Sequence, residues 1–483
     1  MKRRATTILI PLFVVALASA ATAPLMTLAD AKKLATETIT PEICRNRLTF
    51  IASDALMGRD TPSQGLDVAA EFIAFEMRRF GAKPGGDNGT FFQKFALARA
   101  RFDKASSVTI GNVTITGADM EGNAVDATGT GDVVSYGENF DFNAAKGKIV
   151  LIPAGSPNSV EGRLATAGAA AALRDSTMTS EALKASAENN RRGGMQPEFR
   201  IGSGPAQMPR LRASAQAFGE LAKASGAASF KVVRSMERVW TQNVVAVVEG
   251  SDPKLKAEYV AVGAHYDHVG ARTTGEGDRI FNGADDDGSG TVALIGMVEA
   301  AMKGPKPKRS LIFVWHAGEE KGLWGSEYFN EKPTVPAGSI VAQLNIDMIG
   351  RSKAPGDTNA RNKTLTGPND IYVIGTTMMS TRLGEIIHQT NKDFLKIGYD
   401  PRYDAPNDPE QFFYRSDHYN YAKKGIPICF WFSGVHEDYH QAGDEVQKID
   451  FNKLAKVTQT VFVTAIAVAN EPTRPKVDKP LTR

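Results

Sequence analysis

From residue 240 onward, apolar runs of strand length alternate with helical patterns. "NVVAVVEG", "YVAVGAH", "SLIFVWHA" and "VAQLNID" are almost unbroken apolar runs, and "TVALIGMVEAAMKG" between them has helical spacing. Such strands belong to a sheet covered by helices on both faces, so the pattern predicts an α/β domain. A last helix is expected over roughly 450–471, followed by a short tail, 476–483. Upstream, 24–40 reads as the start of the mature chain and 41–80 as helical. Leu66, Ile73, Met77 and Phe80 share one face there, and Gly81 supplies the stop.

The pattern changes near residue 105. "SSVTIGNVTITG", "GDVVSYG" and "GKIVLIPAG" are short β-branched runs divided by glycine. "VEGRLATAGAAAALRDS" and "ASAQAFGELAKAS" read as helices. The polar, glycine-rich "SAENNRRGGMQPEFRIGSGPAQ" between them reads as a surface loop. Residues 106–238 are therefore expected to form an inserted β-rich domain. It would divide an N-terminal part, 24–105, from the main domain, 239–475.

The first 23 residues stand apart. Lys2, Arg3 and Arg4 precede an apolar run over 8–18 and the small-residue stretches "ASA" and "ATA". This is the pattern of a secretory signal peptide, so the expected location is periplasmic or extracellular. The run is too short to span a bilayer, and no stable anchor is expected after cleavage. The formal charge of +3 falls to about zero without those three basic residues. No nucleic-acid partner is therefore read from charge. Cys44 and Cys429 are too few for a thiolate metal cage and are expected to be buried and free.

Ionisable residues gather where the strands end, the edge at which open α/β sheets bind ligands. "VGAHYDH" brings His265, Asp267 and His268, and "NGADDDGSG" brings Asp285, Asp286 and Asp287. Glu319 and Glu320 follow "LIFVWHAG". Asp347 ends "QLNID", and "EDYHQAGDE" carries Tyr439 and His440. Converging buried acids are costly unless compensated. Two histidines and three carboxylates form an N/O set suited to zinc or a similar divalent ion.

The order His-x-Asp, Gly-Ala-Asp-Asp-Asp-Gly-Ser-Gly, Gly-Glu-Glu, Asn-Ile-Asp-Met and a late Tyr-His resembles the M28 family of dizinc peptidases. The resemblance runs through nearly all of 240–471, and "SDALMGRDTPSQG" is similar to the start of the same catalytic domain. It implies a mixed central sheet flanked by helices, the zinc-peptidase fold. The 106–238 segment resembles a protease-associated domain, with "GKIVLIPAG" its clearest piece. The resemblance implies two Zn2+ or other divalent ions per chain. His265 and Asp347 would hold one, Glu320 and His440 the other, and Asp286 would bridge them, with Asp285 and Asp287 one register away on either side. Asp267 would orient His265, and Glu319 would be the general base for a metal-activated water. Tyr439 is a candidate oxyanion donor, with Tyr414 as its rival. His268, His316, Asp417 and His418 are expected to be structural or supporting, and His388 and His436 to lie at the surface or the pocket rim.

The implied activity is an exported aminopeptidase acting on peptides. A carboxypeptidase or dipeptide-releasing enzyme is the alternative on the same metal set. A non-catalytic peptidase-like binding protein is the alternative of another class.

Overall fold

The computed structural model describes residues 24–189, 195–201, 207–479 and 481; the signal-peptide pattern lies outside them. At its centre four strands run parallel, in the order Ser310–His316, Tyr259–His265, Ile340–Ile346, Ile428–Phe432. Antiparallel strands extend the sheet on both sides. Arg234–Val248 and Phe92–Phe102 flank the first strand of that order, and Asp370–Ile374 flanks the last.

Alternate residues serve opposite faces. Val260, Val262 and Ala264, with Leu311, Phe313 and Trp315, enter one core; Ala261, Ile312 and Val314 enter the other. Helices Leu28–Thr38, Pro41–Ile51, Gln64–Phe80, Gly290–Lys303 and Phe451–Asn470 build the first core. Phe329 of Trp324–Glu331 and Tyr421 of His418–Lys423 fill the second. Burial on both faces is why these strands read as unbroken apolar runs. Cys44 and Cys429 are buried and free.

The helical reading of 41–80 requires a correction. The stretch is broken between Pro41–Ile51 and Gln64–Phe80, and Gly81 does end the second helix, at φ 78. Within the break Met57, Gly58 and Arg59 are all left-handed, at φ 49, 70 and 48. A Cβ at Gly58 would lie 2.2 Å from the Gly270 carbonyl oxygen and 2.6 Å from that of Phe281, so only glycine fits. The contorted turn drives Arg59 fully inside. Its guanidinium donates to the carbonyls of Ile51 (2.6 Å), Tyr266 (2.9 Å), Asn282 (2.6 Å) and Gly283 (3.0 Å). One side chain thus ties the N-terminal helices to the loop after Tyr259–His265 and to the turn before Gly290–Lys303. Burial brings its pKa down to about 10, against the opposing pull of Asp267 and Asp444.

Between the paired strands Phe92–Phe102 and Arg234–Val248 the chain forms two smaller sheets, of five and four strands. Their facing residues, including Val108, Leu151, Leu173 and Phe230, share one core. Two expectations fail in this segment. "VEGRLATAGAAAALRDS" is helical only over Val160–Ala167; Gly168 turns the chain at φ 78, and Ala171–Asp175 is a strand. The alanine run goes to the sheet because Ala171, Ala172 and Leu173 are buried there, so packing overrides helix propensity. In the expected surface loop, Gln196–Pro197 pairs with Leu97–Ala98 and extends the main sheet.

Arg59→Met leaves buried carbonyls without donors. It is expected to lower the urea unfolding free energy by about 3 kcal/mol or more, and Arg59→Lys to restore little of it. A loss below about 0.5 kcal/mol, the scale of a neutral surface change, contradicts this role.

Candidate metal centre

All four parallel strands send their carboxyl ends to one edge, and the candidate residues follow those ends. His265 closes its strand, Asp347 comes directly after Ile346, Glu319 and Glu320 lie just beyond His316, and His440 lies in the loop beyond Phe432. Asp285, Asp286 and Asp287 sit in the turn Ala284–Ser289 that leads into Gly290–Lys303.

The three consecutive aspartates face different ways. Asp285 accepts the Gly350 amide at 2.6 Å, and its other oxygen lies 3.3 Å from His436 Nε2. Asp287 accepts the amides of Gly290 (2.8 Å), Met348 (3.1 Å) and His265 (3.3 Å). Asp286 alone faces the cluster. Its Oδ1 is 3.2 Å from His265 Nε2 and its Oδ2 is 3.2 Å from His440 Nε2. Asp444 fixes the turn by accepting the amides of Asp285 and Asp286.

Two donor groups meet at Asp286. On one side His265 Nε2 lies 3.7 Å from Asp347 Oδ2. On the other, His440 Nε2 lies 2.9 Å from Glu320 Oε2. Glu319 Oε2 is 4.0 Å from His265 Nε2. The expected Asp267 contact takes a different form: its carboxylate is 3.6 Å from His265 Nδ1, while its own backbone carbonyl is nearer, at 3.1 Å. The carboxylate instead accepts the Glu319 amide at 3.1 Å and so holds that residue in place. Ser416, in the same short segment as the expected supporting residues Asp417 and His418, donates to Asp347 at 2.7 Å and is itself held by Asn345.

Charge crowding displaces the titrations. Burial opposes ionisation of Asp286, but the adjoining imidazoles His265 and His440 hold it well below the usual carboxylate range. Burial, reinforced by the neighbouring Glu320 and Asp347, raises the Glu319 carboxyl well above its usual value. Burial favours neutral His440, yet Asp286 and Glu320 bring its pKa up to about 10. Asp286 Oδ2, Glu320 Oε1, His440 Nε2 and both ring nitrogens of His268 are buried without a hydrogen-bond partner. Buried polar atoms are rarely left so. Here they converge, and His265–Asp286–Asp347 and His268–Asp286–Glu320 each have the spacing to hold a cation. Imidazole with carboxylate is the donor set zinc takes.

The other candidates separate clearly. Tyr439 stacks on His440 with ring centres 3.9 Å apart and lines a pocket with Glu319, Glu320 and Asp347. Tyr414 packs among Phe413 and Tyr419. His316 lies 3.3 Å from Asp417 and 3.0 Å from the Tyr421 hydroxyl, deep in the core. His418 bonds the Phe413 carbonyl, and burial lowers its pKa to about 4. His388 is exposed. His436 is not at the surface as expected: it is buried between Asp285 and Arg351. His268, read as structural or near the site, places Nδ1 2.8 Å from Glu320 Oε1.

Chelation is expected to destabilise the protein, with a pH signature. A His440 pKa raised from 6.5 to about 10 means that its pairing stabilises fully below pH 6.5 and is lost as pH rises through about 10. The raised Glu319 carboxyl acts in the same direction. Thermal melts of the chelated protein should therefore fall between pH 6.5 and 10, and His440→Gln should flatten that fall. A melt that is independent of chelator and pH contradicts the assignment.

Residues 243–465 match the profile of Peptidase family M28. Over 248 residues, 49% of this chain and 60% of the relative, the sequence is 28% identical to a "Probable leucine aminopeptidase" of Trichophyton verrucosum. A "Leucine aminopeptidase 2" of Trichophyton rubrum is 26% identical over 52% of this chain and 50% of its own length. The chain thus spans about half to three fifths of these curated relatives. An "Aminopeptidase from Aneurinibacillus sp. strain AM-1" superposes over 92% of this chain and 98% of its own, with 17% identity and a TM-score of 0.48. The strand-end motifs from His265 to His440 all fall within residues 243–465, the stretch that matches the profile of Peptidase family M28.

Proposed function

We propose that this protein is an exported dizinc aminopeptidase that removes amino-terminal residues from peptides. The observation that carries the reading is Asp286, with one carboxylate oxygen toward His265 and Asp347 and the other toward Glu320 and His440. His265 and Asp347 would hold one Zn2+, Glu320 and His440 the other, with Asp286 between them. Bound there, the ions supply Lewis-acid polarisation of the scissile carbonyl and lower the pKa of water. Glu319, its carboxyl raised well above its usual value by burial, takes the proton of the attacking water and passes one to the leaving amine. Asp267 holds the Glu319 backbone, and Ser416 fixes the Asp347 carboxylate. Burial keeps the Tyr439 phenol protonated and able to donate a hydrogen bond to the oxyanion.

The pocket beside these residues is lined by Met348, Phe412, Phe430, Phe432 and Val435. Its chemistry suits an apolar first residue, in keeping with relatives named leucine aminopeptidase. Arg415 lines the same pocket, its guanidinium 5.0 Å from the Phe412 ring centre. That cation favours one alternative, a peptidase anchoring the substrate carboxylate. The inserted segment is proposed as a protease-associated-like domain, supported by its separate core and its suspension from the paired strands. Export rests on the N-terminal pattern, and among the described residues no helix is long and apolar enough to cross a membrane.

Glu319→Gln is expected to keep its metal and lose roughly 10²–10⁴-fold in kcat; near-normal turnover contradicts the base assignment. A peptide free at both ends should be shortened stepwise from its amino end, as followed by mass spectrometry. N-acetylation should block this and C-amidation should not. The reverse pattern selects the carboxylate-anchoring alternative.

A further inference from the structure

Glu319 opens a tight turn that needs support from outside. The amides of Gly322 and Leu323 both donate to the Glu319 carbonyl, at 2.8 and 2.9 Å. Gly322 stands at φ 102 and Leu323 at φ 60, and the left-handed region is one that a branched side chain rarely adopts. Such a backbone persists only where its surroundings hold it. Part of that support comes from the catalytic half of the chain and its N-terminal part. Asp267 accepts the Glu319 amide at 3.1 Å, Lys321 pairs with Asp60 at 2.8 Å, and Asn420 donates to the Leu323 carbonyl at 3.1 Å.

A further contact comes from the inserted segment. Gln196–Pro197 pairs with Leu97–Ala98 of the main sheet, and Glu198 accepts Nε and Nη2 of Arg238 at 2.8 and 2.6 Å. Phe199 then packs on Tyr328, with ring centres 5.6 Å apart. These contacts carry Arg200 to the turn. Its Nε donates to Glu327 Oε2 at 2.7 Å, and its Nη2 donates to the Gly322 carbonyl at 3.1 Å. The peptide group between Gly322 and Leu323 thus accepts from Arg200 and donates to the Glu319 carbonyl. Two hydrogen bonds in line run from the inserted segment to the backbone of Glu319, and a guanidinium at the head of such a line strengthens it.

We propose that Arg200 is a positioning residue for Glu319, so that the inserted segment takes part in the reaction. This rests on Glu319 as the general base. The planar guanidinium bridges Glu327 and the Gly322 carbonyl and fixes the turn that aims the carboxylate. Arg200 acts through the Glu319 backbone and not on the substrate.

Steady-state kinetics of the full-length, metal-loaded enzyme on a peptide with a free amino end test this. The Arg200 side chain is 34% exposed, so Arg200→Ala is expected to fold and to keep its zinc by elemental analysis. It should lower kcat roughly 10–100-fold, the scale of a misplaced reacting group, with KM nearly unchanged. Millimolar guanidinium should restore part of the lost kcat, and urea should not. In a Glu319→Gln background Arg200→Ala should cost almost nothing more, because both changes act through one carboxylate. Unchanged kcat, a fall in kcat matched by loss of zinc, or fully additive losses in the double variant overturn the proposal. Should Arg200→Ala not fold, Arg200→Lys decides. It keeps a charge for Glu327 but has no second nitrogen for Gly322, so kcat should fall with zinc retained, and an unchanged kcat overturns the proposal. An inactive Glu319→Gln beside a fully active Arg200→Ala overturns the proposal alone. Near-normal turnover of Glu319→Gln overturns the base assignment and the proposal with it.

Discussion

Buried carboxylates crowd one edge of this sheet. Asp285, Asp286, Asp287, Glu319, Glu320 and Asp347 lie close together and are buried or nearly so. An isolated ion in such surroundings costs far more than an ordinary hydrogen bond returns. The fold answers partly from within. Backbone amides bind Asp285 and Asp287, His436 Nε2 lies 3.3 Å from the other Asp285 oxygen, and Arg59 brings a positive charge among the acids. Asp286, Glu320 and the imidazoles beside them are left facing one another, an arrangement that the proposed divalent cations would complete. Stability and chemistry therefore share one constraint.

The sheet makes the crowding possible. Parallel strands end on a common side, so residues far apart in sequence converge without any long loop having to be ordered for the purpose. Arg59 then locks the two metal-side loops to the N-terminal helices. The contorted turn at 57–59 places that guanidinium where a regular helix would not.

Much of this was legible in the sequence. Apolar strands with acids at their ends gave the sheet, its functional edge and the residues that meet there, because strand burial and buried charge both leave local signatures. Asp286 among its two neighbours was legible only as the middle of three; the amides that claim Asp285 and Asp287 come from Gly350, Gly290 and Met348, which are contacts of folding rather than of spacing. Arg59, the particular bond from Ser416 to Asp347 and the burial of His436 depend on partners far away in the chain and leave no periodic trace. The helical reading of 41–80 failed for the same reason, since the break exists to bury Arg59. The 160–175 stretch failed because alanine fits a buried strand as readily as a helix. His268 was visible as a residue, and its place beside Glu320 was not.

The central claim is that two cations share Asp286. Anomalous diffraction at the zinc absorption edge, from crystals of the zinc-loaded protein, measures it directly. The account predicts two peaks about 3.5–4 Å apart, one on either side of the Asp286 carboxylate. A single peak, or peaks that do not touch Asp286, would contradict it.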